Sequence, residues 1–249
     1  MVAPINLTEI SIPDSDLCKK ATQLAAEVSG KSLYNHCIRT YLFGEILGRR
    51  DRLKCDRELL YLGAVMHDLG LTERFDGNQR FEVDGADAAQ AFLLEHGLPE
   101  EKAQIVWDAI ALHTSIGIAS RKQPEIALVH LGSGMDAFGL RLEDIPPETV
   151  ERVLDAYPRL GWNQASLKLF ISQVKRKPQV AAFTWMAEVG RTHVHEPIPL
   201  TWGTKCSSRQ GEGKHQNTLS GVPIEQRVFY TCVETRRKSA PADSAVHCP

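Results

Sequence analysis

The sequence predicts an all-α domain, a helical bundle, and three observations lead there. Apolar residues recur in segment after segment at the three-to-four-residue spacing of a buried helix face. Prolines, glycines and capping side chains punctuate those segments mostly at their ends. Long alternating apolar–polar runs, and the hairpin turns that would join them, are lacking.

Taken in order, residues 1–13 read as a loose N-terminal arm ending at Pro13. Asp14 or Asp16 is placed to cap a first helix, whose stripe of Leu17, Ala21, Leu24, Ala25 and Val28 stops at Gly30. Ser32 is placed to cap a second helix, roughly 33–50, followed by the charged link RRDRLKCDRE. A third helix begins near Arg57 and runs through ELLYLGAVMHDLG. The polar loop LTERFDGNQRFEVDG leads to a helix over 86–95, with Asp84 as its expected cap. Pro99 suits the first turn of the next helix, which contains QIVWDAIALHT. Further helices are expected from Pro124 to about Asp136, within LEDIPPETVERVLDAYP, over 162–174 and over 178–189. The expected organisation is therefore the arm, a helical domain over 14–192, and a tail over 193–249. Gly, Ser, Thr and charged residues dominate that tail, whose one short apolar piece is RVFYTCV, so flexibility is expected there.

Composition narrows the function classes. Lys and Arg number 29 against 31 Asp and Glu, for a formal net charge of −2. This balance offers no basic footprint for nucleic acid and gives no reason to expect a strongly charged substrate. No apolar run is long enough to span a bilayer, and MVAPINLTEISIPDSD lacks the basic-then-apolar pattern of a secretory leader. The six cysteines, Cys18, Cys37, Cys55, Cys206, Cys232 and Cys248, are scattered without close metal-binding pairs, which fits a reducing, cytoplasmic setting. A helical domain of this kind also allows a homo-oligomer.

The chemistry concentrates in a sparse set of polar side chains: His36, the adjacent pair His67-Asp68, and Asp136. Each sits in an apolar, helix-like stretch, where an unpaired polar group is costly to bury. Two imidazoles and two carboxylates brought together can hold one divalent ion and leave room for water. Neighbours on a helix point about 100° apart, so His67 and Asp68 would approach an ion from adjacent directions. His36 and Asp136 would reach it from two other helices.

Here the sequence resembles the HD-domain superfamily, whose pattern is a histidine, a histidine–aspartate pair and a distant aspartate. His36, His67-Asp68 and Asp136 stand in that order, 31 residues separating His36 from His67 and 68 separating Asp68 from Asp136. The segments YNHCIRTYLFGE, LGAVMHDLGLTERF, RFEVDGADAA and WDAIALHTSIGIA resemble the cyanamide-hydratase-like branch. The resemblance implies that these four residues ligate one divalent metal, zinc or alternatively iron or manganese, and that Asp68 also takes part in catalysis. It implies a hydratase or hydrolase of a small molecule, such as cyanamide converted to urea. His113, in the matched segment WDAIALHT, is the candidate to relay a proton or orient substrate. Asn35, Thr72, Glu73, Arg74, Phe75, Glu82 and Trp107 are candidates for the pocket, Glu82 alternatively as a loop anchor or as a support for an imidazole. Tyr34 and Phe81 could line it too, and Trp162, Phe170 and Phe183 could close it.

Three alternatives stand beside this reading. Nucleotide phosphohydrolysis would favour clustered basic residues, whereas the ligand segments offer Arg39 and Arg74 alone. A di-iron oxygenase would draw on His113 and His130 for a second ion. A non-catalytic interaction protein with a vestigial site would have no need for all four ligands.

Overall fold

A computed structural model describes residues 10–194, whose regular elements are all helices, with no strand among the described residues. The helices are α1 (Asp16–Val28), α2 (Lys31–Arg50), α3 (Arg57–Met66), α4 (Phe81–Glu95), α5 (Glu100–Leu112), α6 (Pro124–Phe138), α7 (Pro147–Ala156), α8 (Trp162–Arg176), α9 (Pro178–Ala181) and α10 (Met186–His193). None is long and apolar enough to cross a membrane. The expected flexible tail falls outside the described residues beyond Val194, as does the arm before Ile10.

Several boundaries differ from expectation for local reasons. Ile10 is buried in the core, and the Ser11 carbonyl accepts from Tyr41 and Arg57, so the end of the arm is fastened. Ser15, between the two aspartates expected to cap α1, takes the Cys18 amide. The second helix starts at Lys31, before Ser32, on Gly30 without a side-chain cap. Asp56 caps α3 through the amides of Glu58 and Leu59, where the start near Arg57 was expected. Helix α4 begins at Phe81, which puts Asp84 inside the first turn, its carboxylate accepting from Lys177 and from the Gln79 amide. The helix expected over 178–189 is two, because the Thr184 hydroxyl accepts from the Met186 amide and starts a new turn.

The core forms two clusters. The larger gathers apolar faces of α1 to α6, with Ile38, Tyr41, Leu47, Leu60, Met66, Ile110 and Leu128 fully or almost fully buried. Helix α2 runs through it, buried at nearly every position from Leu33 to Gly48 except Tyr34. Its crossing with α6 is tight: a Cβ at Gly132 would lie 2.1 Å from the Thr40 carbonyl oxygen. That crossing brings His36 and Asp136 together. The smaller cluster joins Leu33, Leu71 and Phe81 to Trp162, Val174, Ala181 and Met186, seating α8 to α10 against the start of α2 and α4. Lys177 fastens this seat: buried, it binds Asp76 at 2.7 Å and Asp84 at 2.8 Å.

Candidate metal centre

Three helices deliver His36, His67, Asp68 and His113. His36 lies in the second turn of α2, and His113 immediately follows α5. His67 and Asp68 follow the last residue of α3, where the chain tightens into a 3₁₀ turn at Leu69–Leu71. Gly70 permits that turn to press on α4, since a Cβ there would lie 2.0 Å from the Phe81 carbonyl oxygen.

The hydrogen bonds fix the tautomers. The Nδ1 of His67 faces the Ala64 carbonyl at 2.8 Å, that of His113 faces the Ile110 carbonyl at 2.7 Å, and that of His36 faces Asp136 Oδ2 at 2.6 Å. Carbonyls and carboxylates only accept, so in each neutral ring the proton is on Nδ1 and Nε2 presents a lone pair. The Nε2 atoms of His36 and His67 then face each other at 3.2 Å. Asp68 Oδ2 lies 3.3 Å from His67 Nε2 and 3.6 Å from His36 Nε2, and Asp68 Oδ1 lies 3.7 Å from His113 Nε2. All four side chains are buried. Facing lone pairs and an anion repel unless a cation sits among them. His36, His67 and Asp68 each offer one ligand atom, all within 4.8 Å of one another, so the cluster can coordinate one divalent ion.

Residues 33–154 match the HD domain family. This stretch belongs to the HD-domain superfamily. Cyanamide hydratase DDI2 and Cyanamide hydratase DDI3 of Saccharomyces cerevisiae are each 22% identical to the chain over 185 residues, which is 71% of this chain and 80% of theirs. A tRNA (cytidine(56)-2'-O)-methyltransferase of Picrophilus torridus is 27% identical over 158 residues, 63% of this chain but 39% of that protein.

Within the HD domain, Asp136, the expected fourth ligand, is placed beside His36. It lies on the Nδ1 edge of His36, outside the group formed by His36, His67 and Asp68. Arg39 forks onto it, Nε to Oδ1 and Nη2 to Oδ2, both at 2.7 Å, and Arg159 adds a contact at 3.2 Å. The reason is local: Arg39 sits one turn after His36, so the two side chains share a face of α2 and meet one carboxylate. Arg39, weighed from sequence as a phosphate contact, is fully buried and committed to Asp136. A cation flanked by Cys37, Ile38, Tyr41 and Leu42 was the available signal that a buried carboxylate must meet it.

The pocket candidates scatter. Glu82 is buried, accepts from Thr114 at 2.6 Å and Arg80 at 2.9 Å, and acts on His113 through its charge. Asn35 donates to the Pro158 carbonyl at 2.8 Å, and Thr72 donates to the Leu69 carbonyl at 2.6 Å. Glu73 and Arg74 are exposed, with Arg74 over the Phe75 ring. Phe75, Tyr34 and Trp107 pack on the larger core cluster, Trp107 bonding Asp87. His130 bonds the His113 carbonyl at 2.6 Å and is not in the ligand group. Phe81 and Trp162 do border the centre, Phe81 on His113 and Trp162 stacked on His36, whereas Phe183 is exposed.

Protonation follows the same demand for one cation. Burial lowers the His36 pKa, and burial with the nearby His67 charge pulls His113 down to about 4. At His67 burial opposes the charge, but Asp68 and Cys37 outweigh it and raise the pKa well above the usual value. Burial resists ionisation of Asp68 too, yet the imidazoles around it hold its pKa well below the carboxylate range. Without a metal, a proton beside Asp68 supplies the positive charge.

Proposed function

We propose that the chain is a metal-dependent hydratase or hydrolase of a small, uncharged molecule, with cyanamide, converted to urea, as the leading substrate. The carrying observation is the convergence of the His36 and His67 Nε2 atoms on Asp68, with Trp162 stacked on His36 and Phe81 against His113. The similarity to the yeast cyanamide hydratases supports the choice of substrate. Against a phosphate ester stands the commitment of the nearby cations, Arg39 and Arg159 to Asp136 and Arg80 to Glu82.

His36, His67 and Asp68 would hold the ion, and Asp136 would fix the ring of His36. A divalent ion there supplies Lewis acidity, polarising a nitrile-like group and acidifying water. His113, neutral at Nε2 and facing Asp68 Oδ1, is positioned to take a proton from the attacking water. The water oxygen joins the nitrile carbon, and both its protons end on the nitrile nitrogen, one returned by His113, giving urea. Glu82 favours the transient imidazolium by its charge.

The test is urea release from cyanamide by the metal-replete full chain, with bound metal measured per chain. Urea is expected from the wild type and its loss from His67→Ala and Asp68→Ala. Stoichiometric metal without urea would refute the substrate; folded protein that takes up no metal would refute the enzyme.

A further inference from the structure

We infer that Trp162 is a specificity-determining residue of the metal centre, a wall that admits ligands of a few atoms in line and rejects ring-shaped ones. The inference rests on the metal-centre reading and not on the identity of the substrate.

The indole lies almost parallel to the His36 ring, at 16° and 4.3 Å between centroids, and is buried. Its position is built rather than incidental. Trp162 opens α8, directly after the 157–161 connection, and that connection is pinned to the helix carrying the ligand. Asn35 donates to the Pro158 carbonyl at 2.8 Å, and Arg39 Nη1 donates to the carbonyls of Tyr157 at 3.0 Å and Pro158 at 3.3 Å. From the connection's side, Arg159 donates to the Asp136 carbonyl at 2.9 Å. Residues flanking His36 thus hold the segment that delivers Trp162 onto His36, so wall and ligand are fixed in one frame.

The wall also limits space. Trp162 shares its cluster with Leu33, Leu71 and Phe81, and Phe81 meets the edge of His113 at 5.6 Å. The ligand side chains and His113 are at most 5% exposed, so a molecule with a bulky substituent cannot reach them past intact walls. Apolar walls offer a charged substituent no partner. Removing the indole would leave a cavity on the order of the 150 Å³ that accommodates benzene in an apolar core.

The full-length protein loaded with cobalt(II) reports this directly, because the visible bands of cobalt change when a ligand joins the ion. Azide, linear and triatomic, and imidazole, a five-membered ring, are the probes. Wild type is expected to bind azide and to exclude imidazole. Trp162→Ala should bind imidazole at least about tenfold more tightly relative to azide, the scale of a gained or lost apolar contact. Trp162→Phe and Trp162→Leu, which keep apolar mass in place, carry the comparison should the alanine variant fail to fold; the imidazole preference should rise as the side chain shrinks. An unchanged imidazole-to-azide ratio in cobalt-loaded variants, or ready imidazole binding by wild type, would overturn the assignment. Wild type that takes up no cobalt would overturn it along with the metal centre. Size exclusion that persists in a protein inactive toward cyanamide would uphold Trp162 and count against the substrate alone.

Discussion

Replacing Arg39 by leucine is the most direct perturbation of the frame behind the metal centre. Arg39 is fully buried and gives Asp136 two bonds of 2.7 Å, with a third to the Tyr157 carbonyl at 3.0 Å. Breaking a buried pair by removing one partner costs roughly 3–5 kcal/mol, because the remaining charge is stranded. Asp136 would keep His36 and the partly exposed Arg159, which places the loss near the lower figure, about 3 kcal/mol. For a domain of this size that corresponds to a fall of about 6–12 °C in Tm. Arg39→Leu combined with Asp136→Asn strands no charge, so the double variant should be more stable than the sum of the single losses by at least about 1 kcal/mol. Chemical denaturation of the four proteins, read by circular dichroism, gives the cycle. A loss under about 1 kcal/mol for Arg39→Leu, or strictly additive losses, would refute the reasoning.

Two further outcomes follow from the same geometry. Gly132→Ala sets a methyl 2.1 Å from the Thr40 carbonyl oxygen, so α2 and α6 must separate; a loss of about 1–3 kcal/mol and reduced metal occupancy are expected from denaturation and metal analysis. In metal-free protein, His113 titrates at about 4 when folded against an ordinary 6.5, so between those values the unfolded chain binds more protons. Its contribution is therefore lost as pH falls from 6.5 toward 4, by at most ~3 kcal/mol, and His113→Asn should flatten that limb of the stability–pH curve.

What was legible in the sequence was whatever follows from local cost. Helices were readable from apolar spacing because burial of one face produces them, and His36 and His67-Asp68 stood out because imidazole and carboxylate cannot lie unpaired in apolar runs. The same argument applied to Arg39, one turn beyond His36, gives the buried cation a carboxylate partner, Asp136. Caps shifted by a residue where Asp14, Ser15 and Asp16 compete with similar chemistry, and only geometry selects Ser15. The break between α9 and α10 hides in a stretch without Pro or Gly, marked by one threonine hydroxyl. The stacking of Trp162 on His36 has no local signature at all. It arises from a helix docking far along the chain, through a second apolar cluster that no periodicity assigns to a partner.

The short connection between α7 and α8 has a consequence for how this protein can change. Surface connections usually absorb inserted residues with little penalty, since few of their backbone groups are committed. Here the carbonyls of Tyr157 and Pro158 and the side chain of Arg159 are all engaged by α2 and α6. A single inserted residue would move Trp162 along its helix and break its register with His36. The length of this connection is therefore set by chemistry, and lineages that lengthen it should also have altered Asn35, Arg39 or Trp162.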